Sequence, residues 1–122
     1  MAAEKNLDNK VLSFLKSKNC WCIKYWSGAR YTKAGVPDIL ACVDGQFFAI
    51  EDKAKNGKPT LLQIVTLKKI RLAFGFGILL YPDEFENFKR FLLFLLYILW
   101  RIHFRHRLKF VGQFLEFEVL TY

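Results

Sequence analysis

The chain reads as a single-domain α/β protein with the element order α-β-β-β-α-β-α. Three observations carry that reading: an amphipathic helical pattern at the start, an Asp-Gly pair between two apolar runs, and a capped helix that runs out through glycines into another apolar run. At 122 residues and 53% hydrophobic content, the chain is long enough for one core and too apolar to be intrinsically disordered.

The first helix is expected from about Glu4 to Lys18, because Leu7, Val11, Phe14 and Leu15 recur at helical spacing while polar residues fill the opposite face. Cys20 to Trp26 is aromatic and apolar, and reads as a strand. A basic, glycine-containing loop, Ser27 to Gly35, follows. Ile39–Val43 and Phe47–Ile50 then flank Asp44-Gly45, the pair that best suits a two-residue type I′ turn, since both central positions need positive φ. Both faces of this hairpin are largely apolar, which predicts a central sheet covered on two sides. Thr60-Leu-Leu-Gln63 matches a capping box and starts a second helix that continues to Ala73. Gly75 and Gly77 release it into a strand, Ile78–Tyr81, and Pro82 with Asp83 starts a third helix whose stripe is Phe85, Phe88, Phe91 and Leu92.

The hairpin has a chemical consequence. With Asp44 and Gly45 as the turn, Asp38 lies directly opposite Glu51, and Lys53 points to the same side. Carboxylates so placed have Cβ atoms roughly 4.5–5.5 Å apart and repel one another. A divalent cation between them turns that cost into a binding site, and hard oxygen ligands suit Mg²⁺ or Mn²⁺. The alternatives are a pair of solvated strand ends, or Lys53 simply neutralising Glu51.

Gly35-Val-Pro-Asp38 followed by Ile50-Glu-Asp-Lys53 resembles the PD-(D/E)xK nuclease signature. The longer stretches from Tyr31 to Cys42 and from Phe48 to Gln63 are similar to the VRR-NUC group, the virus-type replication-repair nucleases. The resemblance runs from about Glu4 to Phe91, and implies a restriction-endonuclease-like αβββαβ core around a mixed sheet. It implies a metal-dependent endonuclease for DNA, with Asp38, Glu51 and Lys53 as catalytic residues and Gln63 as a secondary member of the site. Asp38, Glu51 and the main-chain carbonyl of Asp52 are the implied metal ligands, and a carboxylate from the first helix, Glu4 or its rival Asp8, is a further one. Gln63 is explained equally by its capping role. Stand-alone members of the group are similar to homodimeric junction-resolving enzymes, so branched DNA such as four-way junctions is the expected substrate. One residue departs from the pattern: Asp52 stands where the group usually has an apolar side chain, and the register makes it a rim residue facing away from the metal, opposite Pro37.

Phosphodiester hydrolysis needs a nucleophilic water, charge stabilisation at phosphorus and protonation of the leaving oxygen. For Lys53, positioning and electrostatic roles are preferred to that of general base. Lys24, Arg30, Lys33, Lys55 and Lys58 flank the carboxylates and can meet phosphates, while Tyr25, Trp26 and Tyr31 can stack on an unpaired base. The net charge of +8 suits a polyanionic partner, although an anionic membrane surface would answer it too. Three cysteines and the absence of a signal-peptide pattern point to a reducing cytoplasm, in a bacterial or phage-infected cell. A zinc site from Cys20, Cys22, His103 and His106 is poorly specified, because Cys-x-Cys is not the usual spacing; as small hydrophobes, the two cysteines fit one side of a strand.

The nuclease-like domain is taken as residues 1–91 and a C-terminal extension as 92–122. The extension begins within ten unbroken apolar residues, Phe91 to Trp100, followed by Arg101-Ile-His-Phe-Arg-His-Arg107. That run is short of the roughly 20 residues needed to span a bilayer, so no stable membrane insertion is expected. A buried terminal helix, a dimer interface and an amphipathic membrane-surface segment remain as readings, a second subunit being the simplest cover. Val111-Gly-Gln-Phe114 reads as a turn within a small hairpin between Leu108 and Tyr122. Against the endonuclease stands a DNA-binding module of the same fold that does not catalyse.

Overall fold

The computed structural model describes residues 2–114 apart from 27 and 29, with side chains as far as 102. The elements are α1 (Ala2–Ser17), β1 (Trp21–Lys24), β2 (Ile39–Val43), β3 (Gln46–Asp52), α2 (Leu61–Leu72), β4 (Phe76–Leu80), a 3₁₀ turn (Pro82–Glu84) and α3 (Phe85–Phe114). The four strands form one sheet in the order β1-β2-β3-β4. β1 and β3 run antiparallel to β2, and β4 runs parallel to β3, so the sheet is mixed.

Local chemistry accounts for the element ends. Asp44 and Gly45 have φ of 48° and 85°, the pattern of a type I′ turn, and Val43 pairs with Gln46 as that turn requires. α1 ends on a Schellman arrangement with Asn19 at φ 59°: Cys20 N–H donates to Leu15 O and Asn19 N–H to Lys16 O. Thr60 caps α2 with the full capping box. The same helix closes with Gly75 N–H on Ile70 O and Phe74 N–H on Arg71 O, which leaves Phe74, not a glycine, in the left-handed region at φ 66°.

α1 and α3 cover one face of the sheet. Leu7, Val11 and Leu15 of α1 and Phe88 and Leu92 of α3 pack with Ile39, Ala41, Val43, Phe48, Ile50 and Leu80 in one core. Phe48 stacks on Phe76 with ring centroids 4.6 Å apart. α2 lies on the other face, where a Cβ added to Gly77 would come within 2.6 Å of Leu67 O; the glycine lets helix and strand approach this closely. α2 reaches only the β3–β4 half, and on the β1–β2 half Trp21 and Cys42 are exposed. Helices thus lie on both faces of the sheet as expected, but on the α2 face the cover is incomplete. A single helix spans about one half of a four-stranded sheet, since strands lie roughly 4.8 Å apart and a helix is about 10 Å wide.

α3 is one helix of 30 residues that runs across position 91 and through Val111-Gly-Gln-Phe114. The turn expected there is thus corrected: one glycine inside a helix costs only about 1 kcal/mol, and no proline interrupts the run. Residues 115–122 and the side chains of His103 and His106 lie outside the described residues. Among the described residues, no helix is long and apolar enough to cross a membrane.

Phe74 is 91% exposed, so its ring contributes little burial to offset its left-handed backbone. Phe74→Gly is expected to raise stability by about 1 kcal/mol, read as a higher urea midpoint with unchanged slope. A lower midpoint would mean that the ring makes a contact worth more than the strain.

Candidate metal and catalytic site

The β2–β3 ladder ends at Ile39 and Ile50, and the site lies one pair beyond it. Asp52 N–H donates to Asp38 Oδ2 at 2.9 Å, which closes the hairpin mouth and holds the Asp38 carboxylate beside β3. Tyr25 N–H donates to Asp38 O at 2.7 Å, tying the end of β1 to the same residue. Glu51 lies on the α2 side, only 1% exposed. Its Oε1 accepts from Gln63 Nε2 at 2.7 Å and lies 3.3 Å from Lys53 Nζ. Asp38, Glu51 and Lys53 are thus brought together as the register required, and Gln63, expected from the resemblance, joins them through Glu51.

Gln63 does two things at once. Its Oε1 accepts from Thr60 N–H at 2.8 Å, completing the capping box, while its Nε2 holds Glu51. The structural and the site roles are therefore parts of a single interaction network.

Glu51 Oε2 is buried without a hydrogen-bond partner. Burial, and secondarily the nearby Asp38, push the Glu51 carboxyl up to about 7, against the pull of Lys53. Asp38 is likewise raised, chiefly by burial, with the hydrogen bond from Asp52 N–H opposing. An orphaned acceptor beside a second carboxylate suits a hard cation, which would supply what the protein does not. Asp38 and Glu51 fit that role as two oxygen donors. Among the described residues, no group of three or more His, Cys, Asp or Glu side chains is arranged to hold a metal ion. A cation here would consequently depend on main-chain oxygen, for which Asp52 is the candidate, or on water for the remaining positions.

The two α1 carboxylates are used differently. Glu4 Oε1 accepts from Ala54 N–H at 3.4 Å, and its charge is felt at Asp38, so it stays near the site. Asp8 turns to the opposite face of β3, where its Oδ2 lies 2.7 Å from Lys24 Nζ. There it meets Asp52, which is 1% exposed. Asp52 does face away from Glu51, but its reading as a rim residue is corrected: it is sealed beneath α1. Burial and the Asp8 charge raise its carboxyl strongly, so that it is held neutral. Asp8 Oδ1 and both Asp52 oxygens have no other partner, and a proton on Asp52 gives the pair one shared hydrogen bond. The sequence did carry a signal for this cluster. Lys24 pairs with Ile39, and Asp52 follows Ile50 by two, so both side chains belong to the face that α1 covers.

Of the basic and aromatic residues, Lys24 is engaged by Asp8, while Arg30, Lys33, Lys55 and Lys58 are exposed. Tyr31 is 92% exposed. Tyr25 Oη accepts from Lys33 N–H at 2.9 Å and pins the loop between β1 and β2. Tyr81 Oη donates to Gly57 O at 2.8 Å and pins the turn that carries Lys55 and Lys58.

The raised carboxyls give a signed expectation for stability. Glu51 and Asp52 bind protons more tightly folded than unfolded, so folding takes up protons above the ordinary carboxylate range. With chelator present, this contribution to stability is expected to be full only below the ordinary carboxylate range and to be lost as pH rises through about 7 for Glu51 and about 9 for Asp52. Asp52→Asn should flatten the fall, measured by urea titrations across that range; a wild-type curve that rises with pH would contradict it. No protein-family model, curated protein or solved structure matches the chain.

Proposed function

We propose that this protein is a metal-dependent endonuclease of the VRR-NUC kind, hydrolysing phosphodiester bonds in branched DNA such as four-way junctions. The observation that carries this reading is the convergence of Asp38, Glu51 and Lys53 on one sheet face, with Glu51 Oε2 buried and unsatisfied. The sequence resemblance over the same residues supports it, as does the net charge of +8.

Asp38, Glu51 and the main-chain oxygen of Asp52 would hold Mg²⁺ or Mn²⁺, which supplies Lewis acidity toward a phosphoryl oxygen and lowers the pKa of water. Asp52 N–H on Asp38 Oδ2, and Gln63 with Lys53 on Glu51 Oε1, fix both carboxylates, and Glu51 Oε2 is the oxygen without a partner that a cation would satisfy. The Lys53 ammonium orients the attacking water and offsets charge developing on the phosphate. Arg30, Lys33, Lys55 and Lys58 receive the flanking phosphates, and these contacts read backbone, not sequence. The outward residues Leu93, Phe94, Tyr97 and Trp100 of α3 would be covered in a homodimer, which sets two sites against opposed strands of a junction.

The protein incubated with a labelled junction is expected to cut it with Mg²⁺ or Mn²⁺ and not with chelator. Asp38→Asn, Glu51→Gln and Lys53→Ala should each lower the rate at least about a hundredfold. Undiminished cutting by the Lys53 variant would count against the assignment. The rival reading, a DNA-binding module without turnover, draws on buried Asp52, which stands where the group usually has an apolar side chain. It predicts junction binding with no cleavage under any metal.

Sedimentation should give twice the chain mass, reduced to the monomer by Tyr97→Glu with Trp100→Glu. A wild-type monomer at micromolar concentration would remove the dimer.

A further inference from the structure

Asp38 is gripped by two main-chain N–H groups: Tyr25 donates to its carbonyl oxygen at 2.7 Å, and Asp52 to its Oδ2 at 2.9 Å. One buried side chain of α1 touches the residues that place both donors. Asp8, 4% exposed, has its Oδ2 2.7 Å from Nζ of Lys24, the residue before Tyr25. It also shares a hydrogen bond with the carboxyl of Asp52. Glu4, one helical turn earlier, accepts from Ala54 N–H. The two spacings match, since four residues of helix rise about 6 Å and two of strand about 6.7 Å. α1 thus meets the end of β3 at positions 52 and 54, which bracket Lys53.

We infer that Asp8 is a positioning residue for Asp38, holding the ends of β1 and β3 at the separation from which Tyr25 and Asp52 both reach it. An ammonium on one oxygen and the Asp52 carboxyl at the other occupy Asp8 fully. The Lys24 charge beside it repels a second cation, so Asp8 is no ligand itself. Its contacts lie on the face away from Glu51, and it acts on Asp38 through the two strands. Without Asp8, Lys24 loses its partner and the Asp52 carboxyl is left buried with none, a costly state that the strand ends relieve by shifting. The grip on Asp38 stands on these contacts alone; its consequence for a metal rests on the nuclease reading.

Amide hydrogen exchange of the full chain, with chelator present, reads the grip directly, with the β2–β3 ladder as internal reference. Asp8→Ala is expected to speed exchange at Tyr25 and Asp52 at least about tenfold more than in that ladder. A role in stability alone would speed all of them by one common factor, and that result overturns the inference. Asp8→Asn can still accept from Lys24 and donate to Asp52, so both amides should keep their wild-type rates. An Asn variant as loose as the Ala variant overturns the inference too. If Asp8→Ala does not fold, Lys24→Met decides, because that side chain is 44% exposed. Tyr25 should then loosen while Asp52 does not, and an unchanged Tyr25 amide overturns the role. Mn²⁺ titration of the same proteins extends the test to the site. Asp8→Ala should weaken binding about 10- to 100-fold, as loss of a group that orients a ligand does, and Asp8→Asn should not. Equal Mn²⁺ affinity in all three proteins overturns the inference, since Asp38 is then held without Asp8. So does an Asn variant as weak as the Ala variant, since Asp8 is then itself a ligand. No Mn²⁺ binding by the wild type, with the exchange pattern as expected, would remove the metal and leave the role of Asp8 standing.

Discussion

Everything at the candidate site depends on the two-residue turn at Asp44 and Gly45. Its positive φ angles fix the β2–β3 register, and a shift of one residue would send each side chain to the other face. The acids would then change places, Asp52 joining α2 and Glu51 passing under α1. The bond from Asp52 N–H to Asp38 Oδ2 secures the same register at the far end of the hairpin. Backbone geometry thus decides which carboxylate is sealed among apolar side chains and which faces Lys53 and Gln63.

That geometry was legible where it is governed by neighbours in sequence. The turn, the capping box at Thr60 and Gln63, and the spacing of Leu7, Val11 and Leu15 are each fixed within a few residues. The element order followed from them, and so did the opposition of Asp38 and Glu51. What failed to be legible depends on distant partners. Asp52 was placed at the rim because it ends a strand, but whether a strand end is covered is decided by α1, which lies some forty positions earlier in the chain. The open half of the α2 face was hidden because apolar alternation records what a strand can bury and not whether a helix reaches it. The run through Gly112 looked like a turn because glycine allows one; the helix continues because nothing on either side competes.

The sheet carries two arrangements of acid and base, one per face. On the α2 side, buried Glu51 has its Oε1 held by an amide and an ammonium. On the α1 side, Asp8 and Asp52 meet with Lys24 in support. The second arrangement is balanced by one proton, because two carboxyls and one ammonium leave a single negative charge to cancel. In the first, Asp38 and Glu51 stand beside the single ammonium of Lys53, and Glu51 Oε2 is buried without a partner.

Gln63 gives one side chain responsibility for a helix start and for an acid's orientation. If the first turn of α2 frays, the amide leaves Thr60 and Glu51 together, and the acid loses its anchor within the lifetime of that opening. Fluctuations at one end of a helix would therefore be transmitted to Glu51 without any movement of the sheet. Amide protons at the start of α2 should then exchange in step with the release of the Glu51 carboxyl from its anchor.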